Sequence, residues 1–112
     1  MRIPEAENAV VVEAKVVEYL LNVDHPDGAP KARLLVRAGF DASRPDELTS
    51  ALLQHVLSED AREGRYSPFG RKYEIAGSLT GPGGSVRITS VWIIRHGESF
   101  PRLVTVVPEA KS

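Results

Sequence analysis

Two runs of alternating side chains, Arg71–Leu79 and Val86–Ile94, meet at Gly81-Pro82-Gly83-Gly84, and this limits the fold more than anything else in the 112-residue chain. In the first run Tyr73, Ile75 and Leu79 share one side and Lys72, Glu74 and Ser78 the other, the period of a strand with one buried face. The second run contains Val91-Trp92-Ile93-Ile94, apolar on both sides as a central strand is. A glycine-rich loop between two such runs predicts a hairpin. His96-Gly97-Glu98 predicts a second reversal, after which Arg102–Val107 returns as a last strand before Pro108. Upstream, Arg62–Ser67 reads as a polar edge strand that ends in a turn at Pro68-Phe69-Gly70.

Before Ser58 the apolar spacing is helical. Val16, Val17, Leu20 and Leu21 recur at three- and four-residue intervals, although their β-branched content makes for a weak helix. A second helix is expected from about Lys31 to Ala38, with Leu34, Leu35 and Ala38 inward and Gly39 placed to cap it ahead of Phe40. The third opens at Pro45 with Asp46 and Glu47 in its first turn, where negative charge complements the dipole, and carries Leu48, Leu52 and Val56 to about Leu57. Helices followed by a meander of about four strands make an α+β domain, with the N-terminal helices packed on one face of a C-terminal antiparallel sheet. One domain over residues 1–112 is expected, with 1–8 and 109–112 as loosely ordered ends. Ala9–Val12 reads as a short strand or as a segment packed on the core.

Charge argues against a dedicated nucleic-acid binder: 14 Lys and Arg stand against 15 Asp and Glu, whereas phosphate recognition normally brings a basic excess. Any RNA contact must therefore rest on a local patch. The absence of cysteine removes disulfides, thiol catalysis and Cys-based zinc sites together. His25, His55 and His96 have no partner at a recognised ligand spacing, so neither a metal nor another cofactor is expected. No apolar run approaches the roughly 18 residues that a membrane span needs, and the N-terminus lacks a signal layout. A cytoplasmic protein without membrane contact is the expectation.

The stretch richest in chemistry is residues 24–33, Asp-His-Pro-Asp-Gly-Ala-Pro-Lys-Ala-Arg, between the first two helices. It places a titratable ring at His25 and puts Lys31 and Arg33 in a first helical turn, where the dipole disfavours cations. Such local conflict is tolerated at functional sites. The competing reading is a solvated connection in which His25 only bonds its own turn.

Several short motifs carry a resemblance. Tyr19-Leu20-Leu21-Asn22, His25-Pro26 with Gly28, Lys31-Ala32, Gly39-Phe40, Pro68-Phe69-Gly70 with Lys72-Tyr73, Val91-Trp92-Ile93-Ile94 and Pro101-Arg102-Leu103-Val104-Thr105 resemble a small prokaryotic family of domains of unknown function, over roughly residues 8 to 108. The layout, a helical half with a His and a Lys followed by a meander ending in Val104-Thr105-Val106-Val107-Pro108, is also similar to ribonuclease toxins of the barnase–EndoU–colicin–RelE class. That resemblance implies a metal-independent ribonuclease-like toxin domain working with an antitoxin-like partner. Cleavage of RNA needs a proton acceptor, cations at the phosphorane and a proton donor. The candidates are His25 as the base, Lys31, Lys72 and Arg102 as cations, and Thr105 as a hydroxyl. Each has a plainer reading: Lys72 as a solvated face residue, Arg102 as the partner of Glu98, Thr105 as a good strand former. Two further readings stand beside the nuclease. One is a non-catalytic protein-binding or adaptor domain of the same fold; the other is an oligomerising module, such as a homodimer through an exposed apolar edge near Ala9–Val12.

Overall fold

The computed structural model describes residues 1–109. A short helix α1, Glu13–Lys15, runs directly into a π-helical turn, Val16–Leu20; then follow α2, Ala29–Arg37, and α3, Pro45–His55. The strands β1, Ala61–Glu63, β2, Gly70–Gly81, β3, Gly84–Arg95, and β4, Arg102–Pro108, form one antiparallel sheet in the order β1-β2-β3-β4. The protein is thus an α+β fold whose helices precede the sheet. No helix among the described residues is long and apolar enough to cross a membrane.

One face of the sheet carries the core. Tyr73, Ile75, Leu79, Ile88, Trp92, Leu103 and Val106 are buried there with Val16, Leu20, Leu35, Phe40, Leu48, Leu52 and Val56 from the helical half. Trp92, read from its strand as a core residue, is fully buried, and its indole N–H donates to Ser90 Oγ at 2.8 Å. The hairpin expected at residues 81–84 forms with Gly81 opposite Gly84. Its tip also caps a helix: the Gly83 N–H donates to the carbonyl of Ala38 at the end of α2, and Gly39 turns away there at φ 96°. Phe40 follows into the core, as the apolar residue after such a cap does.

Three expectations change. The first helix is π-wound, with the Leu21 N–H bonded to the Val16 carbonyl five residues back. The edge strand is shorter than the pattern 62–67 implied, since only Ala61–Glu63 pairs with β2. Beyond Gly64 the polar run has no buried face to align it, and it leaves the sheet toward the turn at Pro68. Residues 1–8 are docked rather than loose. Ile3 is 1% exposed and Ala6 is buried, while the Ala61 N–H donates to the Met1 carbonyl. Of the two readings of Ala9–Val12 the second holds: Ala9 and Val11 pack on the core, and a single parallel bridge, Val10 to Arg102, covers the start of β4. At the other end Glu109 bonds Arg87 through its backbone N–H, and residues 110–112 lie outside the described part.

Candidate functional site

On the face away from the core, the pairing register sets Lys72, Ile93 and Arg102 in one row across β2, β3 and β4. Directly opposed residues of a sheet project to the same side, so both cations stand on the outer face. They line an open cleft of about 820 Å³, together with Val12 just before α1 and Lys15 at its end, the segment Tyr66 to Phe69, Arg95, His96 and Val104. The basic side chains of its lining are Lys15, Lys72, Arg95, His96 and Arg102, and no carboxylate is among the lining groups. A local basic patch therefore exists in a chain whose overall charge is near neutral.

His96 is held in a defined state. Its Nε2 lies 3.0 Å from the Pro68 carbonyl oxygen, an acceptor only, so that nitrogen carries a hydrogen, and in the neutral ring the lone pair is on Nδ1. The backbone that carries the ring is fixed as well: the His96 main-chain N–H donates to Phe69 O, and Gly70 sits so close to β3 that a Cβ would collide with the Ile94 carbonyl. Arg102 is gripped by Glu98 in a two-point contact, Nε to Oε1 and Nη2 to Oε2, both 2.9 Å. The guanidinium draws the Glu98 carboxyl below its ordinary pKa, and the carboxylate raises that of Arg102. Nη1 is outside this grip, and the cation also stacks over the Phe100 ring at 5.2 Å.

His25, Lys31 and Thr105 form a second group beside the cleft. Lys31 Nζ donates to Tyr19 Oη and to Thr105 Oγ1, both at 3.1 Å, and so ties the π turn and α2 to β4. The cation at the start of α2 thereby finds partners that offset its unfavourable place on the dipole. His25 packs edge-on against Tyr19 with ring centroids 5.0 Å apart. Its Nδ1 accepts the backbone N–H groups of Asp27 and Gly28, each at 3.0 Å, which puts the ring hydrogen on Nε2 and occupies the lone pair a base would use. Gly28 is beneath Tyr19, where a Cβ would meet the ring at 3.1 Å.

The two groups meet along β4 without sharing one cavity. Opposite the Val91/Trp92 step a bulge leaves Val104 as an extra residue, and its carbonyl accepts from Lys15 Nζ at 2.9 Å. Arg102, Lys15 and Lys31 thus attach at residues 102, 104 and 105 of one strand. His96 is the site residue that sequence reasoning passed over. Its only signal was its place in the turn after β3, one residue beyond Arg95, the partner of Gly70 in the register. His55, by contrast, is packed at the core, its Nδ1 3.0 Å from Ser90 Oγ. No three of His, Asp and Glu gather as a metal site among the described residues.

Comparisons with known proteins follow the same outline. The family model described as Domain of unknown function (DUF6883) matches residues 2–110. A chain of the contact-dependent growth inhibition toxin–immunity protein complex from Klebsiella pneumoniae 342 superposes with a TM-score of 0.71 at 18% identity, over 96% of this chain and 98% of that one. At that identity the likeness is one of fold. Comparison with curated proteins gave no match.

Proposed function

Because the chain belongs to the DUF6883 family, a family described only as of unknown function, we propose its activity from the site itself: a metal-independent ribonuclease-like toxin domain that acts with a neutralising protein partner. The observation that carries the reading is His96, with Nε2–H fixed on Pro68 and Nδ1 open in a cleft whose other charged lining groups are all cations. A histidine whose tautomer is set by a carbonyl acceptor is poised to take a proton at the other nitrogen.

In this reading the 2′-oxygen of a ribose attacks the adjacent phosphorus while its proton passes to His96 Nδ1. The bond from phosphorus to the 5′-oxygen breaks, and that oxygen takes a proton from the Lys72 ammonium. The products are a 2′,3′-cyclic phosphate and a 5′-hydroxyl end, and proton exchange with water restores both side chains. Lys72 and the free Nη1 of Arg102 face the non-bridging oxygens, where charge builds up in the transition state. Lys31, Thr105 and His25 act from the side, by holding α2 and the π turn against β4.

The fold likeness to a chain of a toxin–immunity complex supports a partner protein of that kind. One observation favours the non-catalytic alternative: Arg102 is already neutralised by Glu98. Both readings are tested by incubating a mixed RNA pool with the purified protein in a chelator, alongside His96→Ala and Lys72→Ala variants shown to be folded. Cyclic-phosphate products that disappear in either variant support the nuclease. Uncut RNA at high protein concentration overturns it as an autonomous activity and leaves partner binding.

A further inference from the structure

Two aromatic rings have no role in the core. Tyr66 is 91% exposed and Phe69 72% exposed, while the other aromatic side chains of the described residues are buried or half-buried. Both rings belong to the four-residue stretch that forms one wall of the cationic cleft. That stretch is held in place. Ser67, buried between the two rings in sequence, accepts the Phe69 N–H on Oγ at 3.2 Å, its carbonyl accepts the Gly70 N–H, and the Pro68 carbonyl is occupied by His96. Phe69 is therefore presented on a fixed turn and Tyr66 stands directly before it, so little backbone ordering is needed when something stacks there.

We infer that Tyr66 and Phe69 form a stacking subsite for unpaired nucleobases, so that the cleft takes single-stranded RNA rather than duplex. This rests on the ribonuclease reading above and extends it to substrate choice. Exposed rings beside a row of cations match the two surfaces of a single strand, flat bases and a charged backbone. Lys15, Lys72 and Arg95, which have no carboxylate partner within 4 Å among the described residues, meet the phosphates. In a duplex the base faces are already stacked on one another and leave nothing for the rings.

The test is fluorescence anisotropy at one fixed salt concentration, on the full chain in a His96→Gln background that holds RNA uncut. The probes are a labelled single strand of about 12 nucleotides, within the span such grooves take, and the same sequence as a duplex. Tyr66→Ala and Phe69→Ala are each expected to weaken single-strand binding about tenfold, while Tyr66→Phe and Phe69→Tyr keep it and the duplex binds weakly throughout. Equal binding by the alanine variants, or duplex binding as tight as single-strand binding, overturns the subsite. So does a polyglutamate peptide of matched charge that binds with the same dependence on the rings, since the surface then fits an acidic protein. Cleavage by the parent with no effect of the rings leaves the nuclease and removes the subsite. Ring-dependent binding without cleavage keeps the subsite and removes the nuclease.

Discussion

The Nε2–H of His96 points at the carbonyl oxygen of Pro68, 3.0 Å away, and this one contact fixes the tautomer of the neutral ring of the histidine that lines the cleft. His25 has its lone pair tied to two backbone N–H groups, and His55 is turned toward Ser90 in the interior. Replacing His96 by Gln keeps a donor for Pro68 and removes the acceptor. On the proposed nuclease activity, cleavage is expected to fall by roughly 10²–10⁴, the usual contribution of general acid–base catalysis, while the melting temperature stays close to that of the parent because the side chain is exposed. His25→Gln is expected to leave cleavage within about threefold, well short of the loss of a general base. Single-turnover assays on both variants check the assignment.

Arg102 and Glu98 offer a test that does not depend on catalysis. The carboxyl of Glu98 is held below its ordinary pKa first by its hydrogen bond with Arg102. A depressed folded-state value means that the unfolded chain binds the proton more readily, so the stabilisation is present above the unfolded value and is lost as pH falls through the folded one. Thermal melts of the parent and of Glu98→Gln should therefore differ near neutral pH, begin to draw together near about pH 4, where an unperturbed Glu titrates, and converge only below the depressed folded value. The same variant frees the guanidinium of Arg102 and is expected to tighten RNA binding, most at low salt. A melt difference that persists in strong acid would show that the pair acts through packing instead.

How far this could be read from the residues differs between fold and site. Alternation along Arg71–Leu79 and Val86–Ile94 is a local property, so both the hairpin and its buried face followed from it, as did the Gly39 cap with Phe40 behind it. The cleft is not local. It is assembled from Val12 and Lys15, from residues 66–69 and Lys72, and from the facing ends of β3 and β4, and only the register brings Lys72 into one row with Arg102. His25 stood out because its neighbours are unusual, yet its ring is spent on its own turn. His96 stood in an ordinary turn, and its value comes from a carbonyl 28 positions away in sequence. The bulge at Val104 had no signature at all, since every residue nearby is a sound strand former.

Ser90 joins two buried groups. Its hydroxyl accepts the Trp92 indole N–H and lies 3.0 Å from His55 Nδ1. Whichever of the two supplies the hydrogen between them, His55 Nε2 stays buried without a partner beside Gly77. Ser90→Ala strands the indole N–H as well and should cost about 1–3 kcal/mol, a fall in melting temperature of several degrees for a chain of this size. Burial also lowers the His55 pKa from 6.5. The folded state then resists a proton that the unfolded chain accepts, so this residue's contribution to stability declines as pH falls below about 6.5. Urea melts between pH 7 and 5 should show that decline in the parent and a smaller one in His55→Gln.

The bond between Lys31 and Thr105 separates a supporting role from a chemical one. Thr105→Val keeps the shape and β-branching of the side chain but removes the oxygen that Lys31 reaches at 3.1 Å, leaving the ammonium with Tyr19 Oη. A charge-assisted hydrogen bond in a part-buried setting contributes roughly 1.5 kcal/mol, so the variant should melt a few degrees lower. Because the bond ties α2 to β4 next to the bulge that Lys15 caps, some loosening of the cleft wall at Val104 is expected, felt as a rise in KM of about threefold from weaker positioning. The turnover number should hold, since His96, Lys72 and Arg102 are untouched. If Thr105→Val instead lowers kcat about a hundredfold, as loss of a group acting in the transition state does, while the melting temperature and KM stay at parental values, then Lys31 and Thr105 take part in the chemistry. The reacting phosphate would in that case lie at the edge of β4, not over the row formed by Lys72 and Arg102.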